Sequence, residues 1–134
     1  MNLMVNESEG SVPDVLALID DLFFQVRLAE TARKLGVTLK TVSSGSAFLN
    51  ALDGGSGAPA QAPRLLIVDL NARQGALEAI ENLQRSGNPV PIIGFLSHVQ
   101  TELAERARAA GCKQVLPRSS FTAHLAEILN QAKS

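Results

Sequence analysis

Two short runs of apolar residues stand out along the chain, and each leads directly into acidic residues. Residues 15–19 are all apolar and precede Asp20 and Asp21, and residues 65–68 are all apolar and precede Asp69. A strand without polar side chains is typical of a parallel sheet that is covered on both faces. The pattern therefore predicts two buried parallel strands, each with carboxylates at its carboxyl end.

Segments with helical spacing alternate with these and other strands. Apolar residues recur every three or four positions in five segments, at residues 22–35, 47–52, 76–86, 101–110 and 121–132. Further strands are predicted at residues 37–42, 90–96 and 114–117. Ser46 and Ser120 are interpreted as the N-caps of the helices that follow them. Five strand–helix repeats predict an α/β fold, a doubly wound parallel five-stranded sheet with helices on both faces.

Two segments fall outside this alternation. Residues 1–13 are mostly polar and predict a flexible N-terminal tail, which leaves residues 14–134 as one domain. Residues 54–63 are rich in glycine, alanine and proline. We interpret them as a long surface loop, because the parts of the chain on either side are too small to fold alone.

Composition narrows the classes of function. The net charge of −1 argues against a general attraction to nucleic acid or to anionic membranes. No apolar run approaches the roughly 20 residues that a membrane-spanning helix needs. The single cysteine, Cys112, excludes an internal disulfide and cysteine-based zinc sites. These features predict a cytoplasmic protein that binds neither nucleic acid nor membranes.

The candidate functional residues follow the carboxyl ends of the predicted strands. Parallel strands bring their carboxyl ends to one edge of the sheet, and open α/β sheets bind ligands at that edge. We therefore expect Asp20, Asp21 and Asp69 to share this edge with Ser97 and Arg118. Three carboxylates that converge in this way predict an acidic pocket rather than an ordinary solvated surface.

The sequence resembles the receiver domain of bacterial response regulators, the CheY-like fold, over almost its whole length. The resemblance rests on four stretches, Ile19-Asp20-Asp21, Ile67-Val68-Asp69-Leu70, Val90-Pro91-Ile92-Ile93 and Ala110-Gly111-Cys112. It implies a flavodoxin-like (βα)5 sheet with strand order 2-1-3-4-5. It also implies a stand-alone phosphorelay signalling domain that is not an enzyme. Its partners would be a sensor histidine kinase or a phosphotransfer protein and a downstream protein target.

The resemblance also assigns roles to individual residues. Asp69 matches the carboxylate that accepts a phosphoryl group. Asp20 and Asp21 match the acidic pair that holds Mg²⁺, and Asn71 matches the residue whose carbonyl joins them. Crowded carboxylates raise one another's pKa, so a hard divalent cation suits this set of oxygen ligands. Such a cation would leave Asp69 free to act as the nucleophile.

Several positions depart from the family pattern. Leu96 stands where the family has a Ser or Thr, and Ser97 follows one place late, which turns a strand side chain to the other face. Arg118 replaces a Lys, so a planar fork replaces a compact ammonium. Val115 replaces the aromatic residue on the fifth strand. Ser97 and Arg118 are the predicted phosphoryl contacts, and Leu96 and Val115 are degenerate switch positions.

Several alternatives remain open at this level. The chain could be a pseudo-receiver, that is, an interaction module that works without phosphorylation. It could also be a small flavodoxin-like enzyme or ligand-binding protein. Arg118 could pair with Asp69 and close the pocket without metal. The lone His98 is interpreted as a surface residue, because no nucleophile elbow accompanies it. Phe23 and Phe24 are expected to serve the core, with shielding of the acidic pocket or a partner contact by Phe23 as the lesser alternatives.

By the same resemblance, the expected interaction face is the helix after the fourth strand together with the fifth strand. The sequence leaves the oligomeric state open.

Overall fold

A computed structural model of the protein describes residues 12–53, 62–97 and 100–133. Most of the predicted tail at residues 1–13, most of the predicted loop at residues 54–63, and His98 lie outside these ranges. The predictions for those segments therefore stay predictions.

The sheet has the predicted architecture. It contains five parallel strands in the order β2-β1-β3-β4-β5. The strands are β1 (Val15–Leu18), β2 (Leu39–Val42), β3 (Leu65–Asp69), β4 (Ile92–Leu96) and β5 (Gln114–Pro117). This is the flavodoxin-like doubly wound topology, so the predicted fold class and strand order are confirmed.

Six helices surround the sheet in the described part of the chain. They are α1 (Leu22–Leu35), α2 (Gly45–Asp53), α3 (Ala76–Arg85), α4 (Thr101–Ala110), α5 (Arg118–Ala123) and α6 (Leu125–Asn130). The final helix was predicted as one element capped by Ser120, and this prediction is wrong. The helix begins at Arg118 and is interrupted at His124, whose backbone N–H donates to the Ser120 carbonyl at 3.1 Å.

The sheet divides the core into two layers. The α1 layer joins one face of the sheet to α1, α5 and α6, and its centre is formed by Phe24, Phe95 and Phe121. The α4 layer joins the other face to α2, α3 and α4. Side chains of β1 alternate between the two layers, with Ala17 in the first and Leu18 in the second. Both faces of the central strands are thus buried, as the unbroken apolar runs predicted.

Two strands start later than predicted because the first residues of each run use their polar groups elsewhere. The backbone N–H of Val37 donates to the Ala32 carbonyl at 2.9 Å and closes the end of α1, so β2 starts at Leu39. The side chain of Asn88 bonds both the N–H and the carbonyl of Val90, so β4 starts at Ile92.

The start of α2 is fixed by its contact with the loop after β3. Ser44, not the predicted Ser46, caps this helix, because its Oγ accepts the backbone N–H of Ala47 at 3.2 Å. The N–H of Gly45 donates to the Gln74 carbonyl at 2.7 Å. A Cβ at Gly45 would overlap the carbonyl of Gly75, so only glycine fits here. The β3–α3 loop is therefore held closely against α2.

Candidate functional site

The three predicted carboxylates lie at one edge of the sheet because their strands pair in register. Leu18 of β1 lies opposite Val68 of β3, so the residues that follow both strands emerge side by side. Asp69 ends β3, and Asp20 and Asp21 lie in the short connection between β1 and α1. The structure therefore brings the predicted acidic residues to a common edge.

Asp69 is the buried member of this group. It is 4% exposed, and it is the only charged residue that is buried in the described ranges. Its Oδ1 accepts the backbone N–H of Asn71 at 2.9 Å. Burial raises the pKa of the Asp69 carboxyl, the Asn71 hydrogen bond opposes that rise, and the nearby charge of Asp20 adds to it. Burial thus makes the ionised form of Asp69 less favourable than that of an exposed carboxylate.

Asp21 has partners for both of its oxygens. Oδ1 caps α1 by accepting the backbone N–H groups of Phe23 and Phe24, at 3.0 and 3.3 Å. Oδ2 accepts Nη2 of Arg118 at 3.0 Å. The Arg118 hydrogen bond and these backbone bonds lower the pKa of the Asp21 carboxyl. The alternative in which Arg118 pairs with Asp69 is wrong, because the guanidinium is bonded to Asp21.

Aromatic packing fixes the direction of the Arg118 side chain. Its guanidinium carbon lies 4.2 Å from the centre of the Phe24 ring. A planar guanidinium can stack on a ring and bind a carboxylate at the same time, which an ammonium does less well. The planar guanidinium of Arg118 can therefore stack on Phe24 of α1 and bind Asp21 at the same time.

Asp20 is held by an arginine that the sequence analysis did not single out. Its Oδ2 accepts the backbone N–H of Arg73 at 2.9 Å and lies 3.4 Å from the Nε of Arg73. The signal was present in the sequence, since Arg73 is the one basic residue in the short loop after Asp69. Two guanidinium groups thus supply the positive charge that crowded carboxylates require.

This arrangement tests the fit of the predicted Mg²⁺. Carboxylate and carbonyl oxygens are the ligand types that Mg²⁺ prefers. Within the described ranges, however, no group of three or more His, Cys, Asp or Glu side chains is arranged to hold a metal ion. Asp21 would have to give up Arg118 or its capping bonds to become a ligand. In this arrangement Asp21 is bonded to Arg118, and Mg²⁺ binding stays a prediction.

The side chain of Asn71 connects this edge to the neighbouring strand. Its Oδ1 accepts the backbone N–H of Ser97 at 2.7 Å, and its Nδ2 donates to Oε1 of Gln100 at 2.9 Å. The family resemblance implied only a carbonyl role for Asn71, and no motif pointed to Gln100. An amide and a glutamine separated by 29 positions carry no recognisable spacing, so no sequence signal pointed to this contact.

An exposed apolar patch lies on the first turns of α1. Leu22, Phe23 and Val26 are 69%, 89% and 59% exposed. The expectation that Phe23 serves the core is wrong, because consecutive helical residues point about 100° apart and Phe24 takes the inward position. Phe23 instead borders an open groove of about 700 Å³ with Ser97 and Arg118 on its other sides.

Comparison with known proteins identifies solved structures that have the same architecture. No protein-family model matches the sequence, and neither does any curated protein. Among solved structures, the receiver domain of NtrX from Brucella abortus is similar, with a TM-score of 0.72 and 19% identity over 89% of this chain and 97% of that chain. A CheY-like receiver domain protein from Methanospirillum hungatei is similar at a TM-score of 0.71 and 12% identity, over 91% of this chain and 97% of that one. The chain has the receiver-domain fold.

A third similar structure is a phosphorylated cyanobacterial phytochrome response regulator, RcpA. Its TM-score is 0.73 at 15% identity, over 90% of this chain and 91% of that chain. The TM-scores establish the receiver-domain fold. Because the sequence identities are low, the roles of individual residues have to be argued from the geometry of the site. Among the described residues, no helix is both long enough and apolar enough to span a membrane.

Within the receiver-domain fold, Leu96 and Val115 are core residues. Leu96 is 5% exposed and Val115 is 8% exposed, and both pack in the α4 layer. Neither side chain can donate a hydrogen bond. Ser97, the hydroxyl residue one position later, is exposed and borders the groove beside Phe23. Its side chain makes no hydrogen bond to Asp69 within the described part of the chain, so its predicted phosphoryl contact stays a prediction.

Proposed function

We propose that this chain is a receiver-like signalling module that passes on its signal by protein contact and does not require a phosphoryl group. One observation carries the proposal. The two acidic residues after β1 are bonded to arginines, with Asp21 bonded to Arg118 and Asp20 to Arg73. The receiver-domain fold of the similar structures supports signalling through kinases or effectors in general.

The exposed patch on α1 supports output by contact. Leu22, Phe23 and Val26 form the largest group of exposed apolar side chains among the described residues. Of these, Phe23 lines the groove together with Arg118. A monomer gains nothing from exposing a phenylalanine at 89%, whereas a partner surface would bury it. The interaction face predicted at α4 and β5 lacks such exposed apolar side chains among the described residues, because Leu103 and Leu116 are partly buried there.

A second candidate is the phosphorelay receiver that the sequence resemblance implies. In it Asp69 accepts a phosphoryl group from a sensor kinase or phosphotransfer protein, and Asp20, Asp21 and the Asn71 carbonyl hold Mg²⁺. The burial of Asp69 at the end of the central strand favours this candidate, as does the absence of any hydrogen bond to its Oδ2 from the described residues. For Mg²⁺ to bind, Asp21 would exchange either Arg118 or its capping bonds for the metal ion.

Titration with Mg²⁺ and beryllofluoride separates the two candidates. Amide spectra of the ¹⁵N-labelled protein would be recorded with MgCl₂ alone and then with beryllofluoride, for the wild type and for Asp69→Asn. The contact-only module predicts no response that depends on Asp69. A response in the wild type that Asp69→Asn abolishes would overturn that proposal and establish the phosphorelay receiver. The predicted absence of enzymatic activity and the cytoplasmic location are not addressed by this titration and stay predictions.

A further inference from the structure

We propose that the side chain of Asn71 couples the Asp69 carboxylate to the start of α4. This inference rests on the proposed signalling function, since it names the route by which a change at Asp69 reaches another surface. It assigns to Asn71 a positioning role that differs from the carbonyl role implied by the sequence resemblance.

One end of the route is the turn after β3. The backbone N–H of Asn71 donates to Oδ1 of Asp69 at 2.9 Å, and the N–H of Ala72 donates to the Asp69 carbonyl at 3.0 Å. The carboxylate and its own backbone thus hold this turn in place. A charged acceptor makes a stronger hydrogen bond than a neutral one, so a change in the charge of Asp69 alters the position of Asn71.

The other end of the route uses both polar atoms of the Asn71 amide. The N–H of Ser97 is a donor only, so it must face the amide oxygen, and it does so at 2.7 Å. This leaves Nδ2 to donate to Oε1 of Gln100 at 2.9 Å. Ser97 directly follows β4 and Gln100 directly precedes α4. Asn71 therefore holds the residues at both ends of the connection between these elements.

Through Gln100, the Asn71 side chain is connected to the first turn of α4. Gln100 is the N-cap residue of α4, and its carbonyl accepts the N–H of Ala104 at 2.9 Å, yet its side chain makes no capping bond. That side chain is instead bonded to Asn71. The first turn of α4 is therefore tied to the Asp69 turn rather than closed by its own cap.

In the described part of the chain, the residues at the switch positions, Leu96 and Val115, offer no alternative polar contact between Asp69 and α4. Leu96 and Val115 have no polar side-chain atoms and pack inside the α4 layer. No described hydrogen bond other than those of Asn71 joins the turn after Asp69 to Ser97 or to Gln100. The polar link from the turn after β3 to Ser97 and Gln100 is thus made by the side-chain amide of Asn71.

A mutant cycle tests the coupling without phosphate or metal. Asp69→Asn removes the charge and keeps a hydrogen-bond acceptor. In the wild-type background it should shift the amide signals of Ser97 and of residues 101–104. In the Asn71→Ala background, where the backbone N–H of residue 71 remains, the shifts at residues 101–104 should disappear. Gln74→Ala, an exposed position in the same loop, is the matched control and should leave the shifts intact.

Two further measurements keep the test decisive. Asn71→Ala should speed hydrogen exchange at the Ser97 amide by about fivefold, since the loss of one hydrogen bond costs about 1 kcal/mol. Gln100→Ala should abolish the shifts at residues 101–104 and leave Ser97 protected. Equal shifts with and without the Asn71 side chain would overturn the proposal, as would an Asp69→Asn protein in which residues 101–104 do not respond. The beryllofluoride titration is independent of this cycle, so failure of either proposal is distinguishable from failure of the other.

Discussion

Nη2 of Arg118 lies 3.0 Å from Oδ2 of Asp21, a contact that joins residues 97 positions apart at the carboxyl edge of the sheet. The same guanidinium covers the ring of Phe24, which is anchored in the α1 layer. Asp21 in turn caps α1. This contact therefore links α1 to α5 and occupies Oδ2 of Asp21.

Removal of Arg118 should release Asp21. Because the pair is partly exposed and also stacks on Phe24, we expect Arg118→Ala to lower the free energy of unfolding by about 1 kcal/mol in urea denaturation. The same variant should show larger Mg²⁺-dependent shifts at the amides of Asp21 and Asn71 than the wild type. Arg106→Ala, an exposed arginine on α4, is the control and should change neither quantity. Unchanged Mg²⁺ shifts in Arg118→Ala would show that the arginine does not limit metal binding.

Asp69→Asn should make the protein more stable at neutral pH. Burial raises the pKa of the folded-state carboxyl above 3.8, so the native protein binds a proton more tightly than the unfolded chain does. The buried charge then costs stability at neutral pH, and that cost falls as the pH decreases through the folded-state pKa. We expect a gain of about 1 kcal/mol at pH 7, the scale of a buried polar desolvation penalty.

The gain from Asp69→Asn should shrink as the pH falls towards 3.8. Urea denaturation at several pH values measures it, with the exposed Glu105→Gln on α4 as the control. A gain that stays constant with pH would contradict a raised pKa at Asp69.

Two substitutions of Asp21 separate its cap from its ion pair. Asp21→Asn keeps an oxygen for the Phe23 and Phe24 amides, whereas Asp21→Ala loses it and should cost about 1 kcal/mol more in stability. Because the pKa of the Asp21 carboxyl is lowered, its ion-pair contribution is present above 3.8 and disappears as the pH falls through the lowered folded-state value. Chemical denaturation across acidic pH should therefore show the wild type and Asp21→Asn converging below 3.8. Convergence at neutral pH would contradict the ion pair.

Substitution should cost much more stability at Phe24 than at the adjacent Phe23. Phe24 is 6% exposed and packs on Phe95 and Phe121, so Phe24→Ala should cost about 3–5 kcal/mol. Phe23 is 89% exposed, and Phe23→Ser should change stability by less than about 0.5 kcal/mol. Urea denaturation of both variants measures the contrast. A large loss in Phe23→Ser would show that the patch on α1 serves the fold rather than a partner.

The sequence predicted the sheet and its edge because these follow from local patterns. Unbroken apolar runs identify β1 and β3, and parallel pairing then places Asp20, Asp21 and Asp69 together. The partners of those carboxylates were not predictable in the same way. Arg73 and Arg118 reach Asp20 and Asp21 across 53 and 97 positions, and the rotamer of a long side chain is decided by what surrounds it.

The prediction of which helical residues are buried and where helices end was also limited, because a difference of one residue changes the outcome. A single helical position separates Phe23 in solvent from Phe24 in the core, and apolar composition alone does not distinguish them. The interruption at His124 had no glycine or proline to mark it. Asn71, Ser97 and Gln100 meet only because β3 and β4 are neighbours, so their contact required the three-dimensional structure.

Asp69 ends the middle strand of the five, and this position makes its backbone stiff. β3 is paired with β1 on one side and β4 on the other, and the N–H of Leu70 continues the ladder to the Phe95 carbonyl at 2.9 Å. A strain introduced at the carboxylate therefore cannot relax by moving the strand. It must be taken up by the compliant parts around it, which are the arginine side chains and the turn that contains Asn71.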